Sequence, residues 1–507
     1  MRAMTFRTLL LAAAAGLALA TPAAAQKSAD TLRVVWWDQI PDVDPYYNEL
    51  RAGLVTHTQA FDGLLARDPE TFTAKAALAT SWKYIDDTTI EFALRKGVTF
   101  HDGSPFSADD VVYTLNGIIA DKLVSVPSNY VWLAGAEKVD DYTVRVKLKQ
   151  VFPAALEYLS MVTPIWPKAT REKLGKDGYS KQPVGAGPYR ITKVDGSSWI
   201  EMERYEGYYK DSPKGRPAIR RLVIHEVADA TTAMNELLGN KADWTWNFIP
   251  DNFENVAKMP NLQAVRAETM RVNFLGIDAA GRTGADSPLT KVKVRQAIAH
   301  AIDRKTIADK LIQGGARVPD TSCFPTQFGC DASVATHYAY DPAKAKALLA
   351  EAGYPNGFET EIVSYFIAPV EGAVQNYLRA VGINAKISHL QVSPAIRRTM
   401  EGSAPLTLMN WGSYSINDAS AILPYFFGGT TTDQIRDEQV TTLVKQGGTN
   451  TDPNARKAAY SAAIKRITEN AYILPLYTSV TTYGFSKQLD FKPYPDELPR
   501  FYLAKWK

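Results

Sequence analysis

Segments that alternate apolar and polar residues are interleaved with segments of helical period along the whole chain, and few architectures accept that interleaving. TLRVVWW (Thr31–Trp37), TIEFAL (Thr89–Leu94) and TVRVKL (Thr143–Leu148) read as strands. Ser107, followed three residues later by Asp110, forms an acidic variant of the capping box and opens the helix SADDVVYTLNGII. In KVKVRQAIAHAIDRKTIADKLI, Val294, Ala297, Ile298, Ala301 and Ile302 fall on one face, as a core-packed helix requires. Asp341 caps and Pro342 starts DPAKAKALLAEAG, which Gly353 ends. No internal repeat or low-complexity linker interrupts the pattern. A chain of 507 residues exceeds what one core usually supports, so the expected fold class is α/β with two or three packed lobes.

Residues 1–25 have the form of an export signal: Arg2 and Arg7 precede an apolar run from Leu9 to Ala20, which closes on Ala23-Ala24-Ala25. Cleavage between Ala25 and Gln26 and a periplasmic location are expected. The run is too short to span a bilayer, and no later stretch holds the roughly 20 apolar residues that a spanning helix needs. Removing residues 1–25 takes away two basic side chains and lowers the formal charge from +3 to +1. Lys and Arg are interspersed with Asp and Glu, which argues against a nucleic-acid partner. The two cysteines, Cys323 and Cys330, enclose a short proline- and glycine-containing loop. In an oxidising compartment they are expected to pair, adding about 2–3 kcal/mol on chain-entropy grounds. Two thiols with His337 as the nearest histidine do not make a zinc site.

Four stretches, taken in order, resemble solute-binding protein family 5, the peptide, opine and nickel binders of ABC importers also called cluster C. They are FDGLLARDPET (61–71), LRKGVTFHDGSPFSADDVVYTL (94–115), PVGAGPYR (183–190) with LLGNKADW (237–244), and VRQAIAHAIDR (294–304) ahead of AKALLAEAG and LRAVGINAKI (378–387). The resemblance implies a bilobal periplasmic-binding-protein fold of type II. Lobe I would comprise 26–66, 184–272 and 482–507, with a subdomain inserted at 67–183, and lobe II would comprise 273–481. It further implies a monomer that shuts on a small-molecule solute and then docks on a membrane permease with ATPase subunits. Chemosensory docking of the same closed form is the competing class.

Catalytic constellations are near misses. His225-Glu226 lacks the second histidine of a metalloprotease helix, since position 229 is Asp229. Gly185-Ala186-Gly187 is followed by Pro188, without the Lys-Ser/Thr of a phosphate loop. His101 lies beside the Asp102-Gly103 turn and reads as a turn residue. No enzyme activity, metal or cofactor is therefore expected, and an exported hydrolase is disfavoured.

Candidate ligand contacts come from aromatic residues and forked donors. Trp411, in LMNWGSYSINDAS, matches the family tryptophan that lies at the cleft, and Trp246 and Asn247 follow the KAD turn where the family chain enters it. Arg51, in DPYYNELRAGL, is placed to seize a ligand carboxylate or else is a solvated surface arginine; Tyr365, in VSYFIAPVE, is a further wall candidate. Two departures from the family matter. Peptide binders carry, three residues after this tryptophan, an aspartate that pairs with the peptide amine; here that place is Tyr414. Dipeptide binders present an arginine where IAPVEGAV (367–374) has none. Asp418 either restores an amine site or caps a helix at Ala419. An unpartnered charge in a closed cleft costs several kcal/mol, so the expected cargo is a small organic solute, aromatic or carboxylated, rather than an ordinary free peptide; an opine-like amino acid derivative or a modified peptide comes next, and an oligopeptide, dipeptide or opine binder of the same importer class is the alternative.

Overall fold

The structure, a computed structural model, describes residues 30–507 apart from 41, 49, 197, 249 and 250. The export signal and its cleavage point at Ala25-Gln26 lie outside the described residues.

Ten strands form one sheet. From one edge the order is Ile383–His389, Phe358–Ser364, Leu406–Trp411, Leu262–Ile277, Ile473–Ser486, Trp244–Trp246, Thr31–Trp36, Arg221–Glu226, Trp199–Arg204 and Tyr189–Asp195. The two central strands are much longer than their neighbours, and their antiparallel pairing shifts register between Glu268 and Val272. On one side of that shift, Leu262–Glu268 pairs with Val480–Ser486, and the latter strand continues the ladder to Trp244–Trp246. On the other, Val272–Gly276 pairs with Ile473–Thr478, and Val272–Ile277 pairs with Leu406–Trp411. The sheet therefore divides into two halves joined by two strands that cross near residues 269–271 and 479.

Each half buries its own core. Leu32, Val34, Trp36, Trp244 and Phe485 pack together in the first; Leu275, Ile298, Ile362, Leu406 and Leu474 pack together in the second. Parallel strands Phe358–Ser364 and Ile383–His389 are joined by the helix Ala368–Ala380, the crossover that parallel pairing demands. Between the strand Leu65–Arg67 and Tyr189 the chain builds a separate four-stranded antiparallel sheet, ordered Ala79–Asp86, Thr89–Leu94, Thr143–Leu148, Leu133–Asp140. The helix Ala108–Ala120 covers it, opened by the capping box that Ser107 and Asp110 form reciprocally.

His101 is buried beside the turn and joins two parts of the chain. Its Nδ1 accepts from the Gly185 amide at 3.2 Å and its Nε2 donates to the Gly187 carbonyl at 3.0 Å. Burial holds its pKa down at about 4, so it is neutral. A Cβ on Gly185 would lie 2.1 Å from the Ala60 carbonyl oxygen, so this glycine serves close backbone approach.

One element differs from the sequence expectation. The stretch from Val292 to Ile312 is not one helix: it stops at Ala301, and Asp303 caps a new turn through the Thr306 amide at 2.9 Å. Cys323 and Cys330 form a disulfide.

Candidate functional site

Where the sheet divides, a cavity of about 690 Å³ opens between the halves and the part inserted between the strands Thr31–Trp36 and Tyr189–Asp195, which carries the four-stranded sheet. The helix Arg51–Ala60 brings Arg51 and His57 to it, the crossing strand brings Arg271, and the end of Leu406–Trp411 brings Asn410 and Trp411. The inserted part adds Tyr130, Met161 and Val162. Most of the wall is aromatic or aliphatic, with a few convergent polar groups, the usual make-up of a small-molecule site.

Trp411 stacks on Tyr425 with ring centroids 4.4 Å apart and meets the edges of Tyr414 at 5.0 Å and Phe426 at 5.7 Å. Its Nε1 donates to the Ala421 carbonyl at 3.2 Å, which fixes the ring. Tyr365 also lines the cavity, and its hydroxyl accepts from the Asn410 amide at 2.9 Å. Ser413, Tyr414 and Ser415 have φ of 52°, 47° and 64°, three consecutive non-glycine residues in the left-handed region. Such a run is strained and persists only where other contacts over-determine it. Here the Ser415 hydroxyl donates to the Asp496 carbonyl at 2.6 Å, and the next turn packs Ile416 into the core of the inserted part. The Asn417 amide also donates to Glu157 Oε1 at 2.8 Å.

The electrostatics centre on Glu497. Its Oε2 lies 3.0 Å from Arg271 Nη2 and 3.1 Å from Arg51 Nη2. Burial pushes this carboxyl upward, but the two guanidiniums outweigh burial and hold it at about 2. Arg271 Nη1 also donates to Asn410 Oδ1 at 2.9 Å. At another part of the wall, Asp38 accepts from Trp246 Nε1 at 3.1 Å, and burial raises its pKa. His57 is buried, its Nε2 has no hydrogen-bond partner among the described residues, and burial lowers its pKa to about 3.

Of the residues singled out in the sequence, Arg51, Tyr365, Trp411 and Tyr414 border this cavity. Arg51 is not a solvated surface arginine, for its side chain is mostly buried against Glu497. Trp246 is 1% exposed and packs among Trp36, Trp244 and Tyr483, reaching the cavity only through its bond to Asp38. Asn247 is exposed, with its amide donating to the Thr482 carbonyl. Asp418 is buried against Arg456 at 2.9 Å and caps the turn at Ala419 through the Ser420 amide. Arg271, Asn410, Asp38 and Glu497 escaped the sequence reading. The one signal available was a charged residue, Arg271, inside an otherwise strand-like run.

The family described as bacterial extracellular solute-binding proteins, family 5, matches residues 73–434. The chain belongs to this family. Family 5 proteins serve ABC importers, delivering a ligand to a membrane permease and its ATPase, and they have the bilobal fold. Heme-binding protein A of Haemophilus influenzae is 32% identical over 324 residues, which are 58% of this chain and 56% of that relative. The glutathione-binding protein GsiB of Escherichia coli K12 is 26% identical over 501 residues, 94% of each chain. Among solved structures, HbpA2 from Haemophilus parasuis superposes with a TM-score of 0.81 at 25% identity, covering 94% of this chain and all of that one. The family 5 match takes in the inserted part and the Trp411 wall, whereas Glu497 lies beyond it. No helix among the described residues is long and apolar enough to cross a membrane.

Proposed function

We propose that this family 5 protein is the periplasmic capture subunit of an importer for a small organic solute other than an ordinary free peptide. The observation that carries this reading is the pairing of a cavity of about 690 Å³ with Tyr414 at the place of the amine-binding aspartate. Asp418, the nearest substitute, is committed to Arg456. An ammonium entering beside Tyr414 would lose its hydration without gaining an ionic partner.

In this reading the lobes are 26–66 with 184–272 and 482–507, and 273–481, the subdomain at 67–183 rides on the first, and the crossing strands are the pivot. Cleavage at Ala25-Gln26, a monomeric state and the absence of catalysis belong to it. A screen of thermal shift against aromatic acids, opines, sugars, glutathione and free di- and tripeptides tests it, with small-angle scattering to follow closure. A non-peptide solute should raise the melting temperature and shrink the radius of gyration. Strong stabilisation by unmodified dipeptides would reverse the choice of cargo.

A second reading is favoured by one feature. Asp38 has no ion pair among the described residues and lies in the wall, so it is available to an ammonium. Together with the likeness to glutathione-binding proteins over 94% of the chain, this supports a γ-linked peptide. Glutathione binding that fades in Asp38→Asn, with free tripeptides inert, would establish that alternative.

A further inference from the structure

Arg51 and Arg271 lie 220 residues apart, one in the first helix and one in a crossing strand, yet their guanidiniums converge. Both Nη2 atoms meet the same oxygen of Glu497, at 3.1 and 3.0 Å. A Cβ on Gly412 would lie 3.1 Å from Arg271 Nη2 and 3.4 Å from Arg51 Nη2, so the bare backbone of this glycine makes room for both. The neighbouring Asp496 also attracts Arg51 but makes its own ion pairs elsewhere, with Arg500 at 2.6 Å and Arg67 at 3.4 Å. Two guanidiniums thus share one carboxylate at the cavity wall. Arg271 uses three of its five N–H donors, two on Glu497 and one on Asn410. Its side chain remains 29% exposed and borders the cavity.

We infer that Arg51 and Arg271 form an acid anchor, which takes a carboxylate or comparable anionic group of the cargo while its apolar body lies along Trp411 and Tyr365. This deepens the solute-binding reading and rests on it. Forked guanidinium donors match a planar carboxylate in shape and charge. The apolar wall beyond them suits an amphipathic organic acid. Trp37, at 42% exposure, and Val392, at 50%, border the same cavity, so the end that opens to solvent is apolar as well. Arg271 lies within the register shift of the crossing strand and bridges Asn410 to Glu497. An acid seated there touches both halves, which ties recognition to closure.

Matched pairs of probes test the anchor: indole-3-acetate against indole-3-acetamide, and glutathione against its diamide, titrated by calorimetry into wild type, Arg271→Gln, Arg51→Gln and Glu497→Gln. The acids should bind at least about tenfold more tightly than the amides, and either arginine variant should erase that difference. Glu497→Gln frees both cations and should tighten acid binding, a change of sign that misfolding cannot imitate. Equal affinity for acid and amide, or weakened acid binding in Glu497→Gln, overturns the anchor. A wild type that closes only on uncharged solutes from the wider screen overturns the anchor and leaves the importer reading intact. A wild type that binds none of them brings down both.

Discussion

Trp246 and Trp411 both end short strands of the same sheet, and both sit in clusters of aromatic rings, yet one is sealed and the other borders a cavity. Trp246 lies where the sheet is continuous, between Thr31–Trp36 and Ile473–Ser486, and its ring is enclosed by Trp36, Trp244 and Tyr483. Trp411 pairs with Val272, the first residue beyond the register shift, where the two halves part. Its ring has Tyr425 stacked on it, and open space begins nearby. The same side chain is therefore filling in one place and wall in the other, and the division of the sheet decides which.

That contrast breaks most readily at Trp246. Trp246→Ala should cost about 3–5 kcal/mol in chemical denaturation, the usual penalty for emptying a buried aromatic site, while the folded fraction keeps its affinity for cargo. A stable variant that had lost cargo binding would make Trp246 a contact after all. Next in size is the loop behind Trp411, where Cys323 belongs to the core that Trp411 and Cys330 pack against. Replacing both cysteines by serine should lower stability by about 2–3 kcal/mol, with affinity changed less than about twofold. Smaller again is Trp411→Ala. It removes a partly buried ring, so stability should fall modestly while calorimetric affinity for cargo drops about tenfold or more. An unchanged affinity would reduce this wall to packing.

What the sequence makes legible depends on the range of the interaction involved. Caps and strands were legible because Ser107, Asp110 and Asp341 act on residues three positions away. The break at Asp303 was missed because apolar residues on both sides keep one helical face, and only the cap itself stops the helix. Trp411 and Tyr414 could be named through a family resemblance that covers their segment, and Tyr365 only as an aromatic residue in VSYFIAPVE. Glu497 could not, since it meets Arg51 and Arg271 from the far end of the chain and has no local pattern to announce it. Asp418 reads in the sequence equally as a cap or a ligand contact, because its partner, Arg456, lies on a later helix.

The two carboxylates that accompany these tryptophans sharpen the contrast by titrating in opposite directions. Glu497, bonded to the arginines beside Asn410 and Gly412, is held at about 2 against its usual 4.5. A depressed carboxyl stabilises the fold above its unfolded pKa and loses that contribution as pH falls toward its folded pKa. Between pH 4.5 and 2, wild type should therefore lose stability that Glu497→Gln never had, about 1 kcal/mol of difference by pH 4. Asp38, under Trp246, is raised by burial. Its folded form retains a proton that the unfolded chain releases, so its contribution declines as pH rises above 3.8, and Asp38→Asn should be the more stable protein at neutral pH. Denaturation curves of the three proteins from pH 3 to 7.5 check both signs at once. Parallel curves for wild type and Glu497→Gln below pH 4.5 would mean that the guanidiniums do not hold that carboxylate, and the charge balance on which the acid anchor depends would go with it.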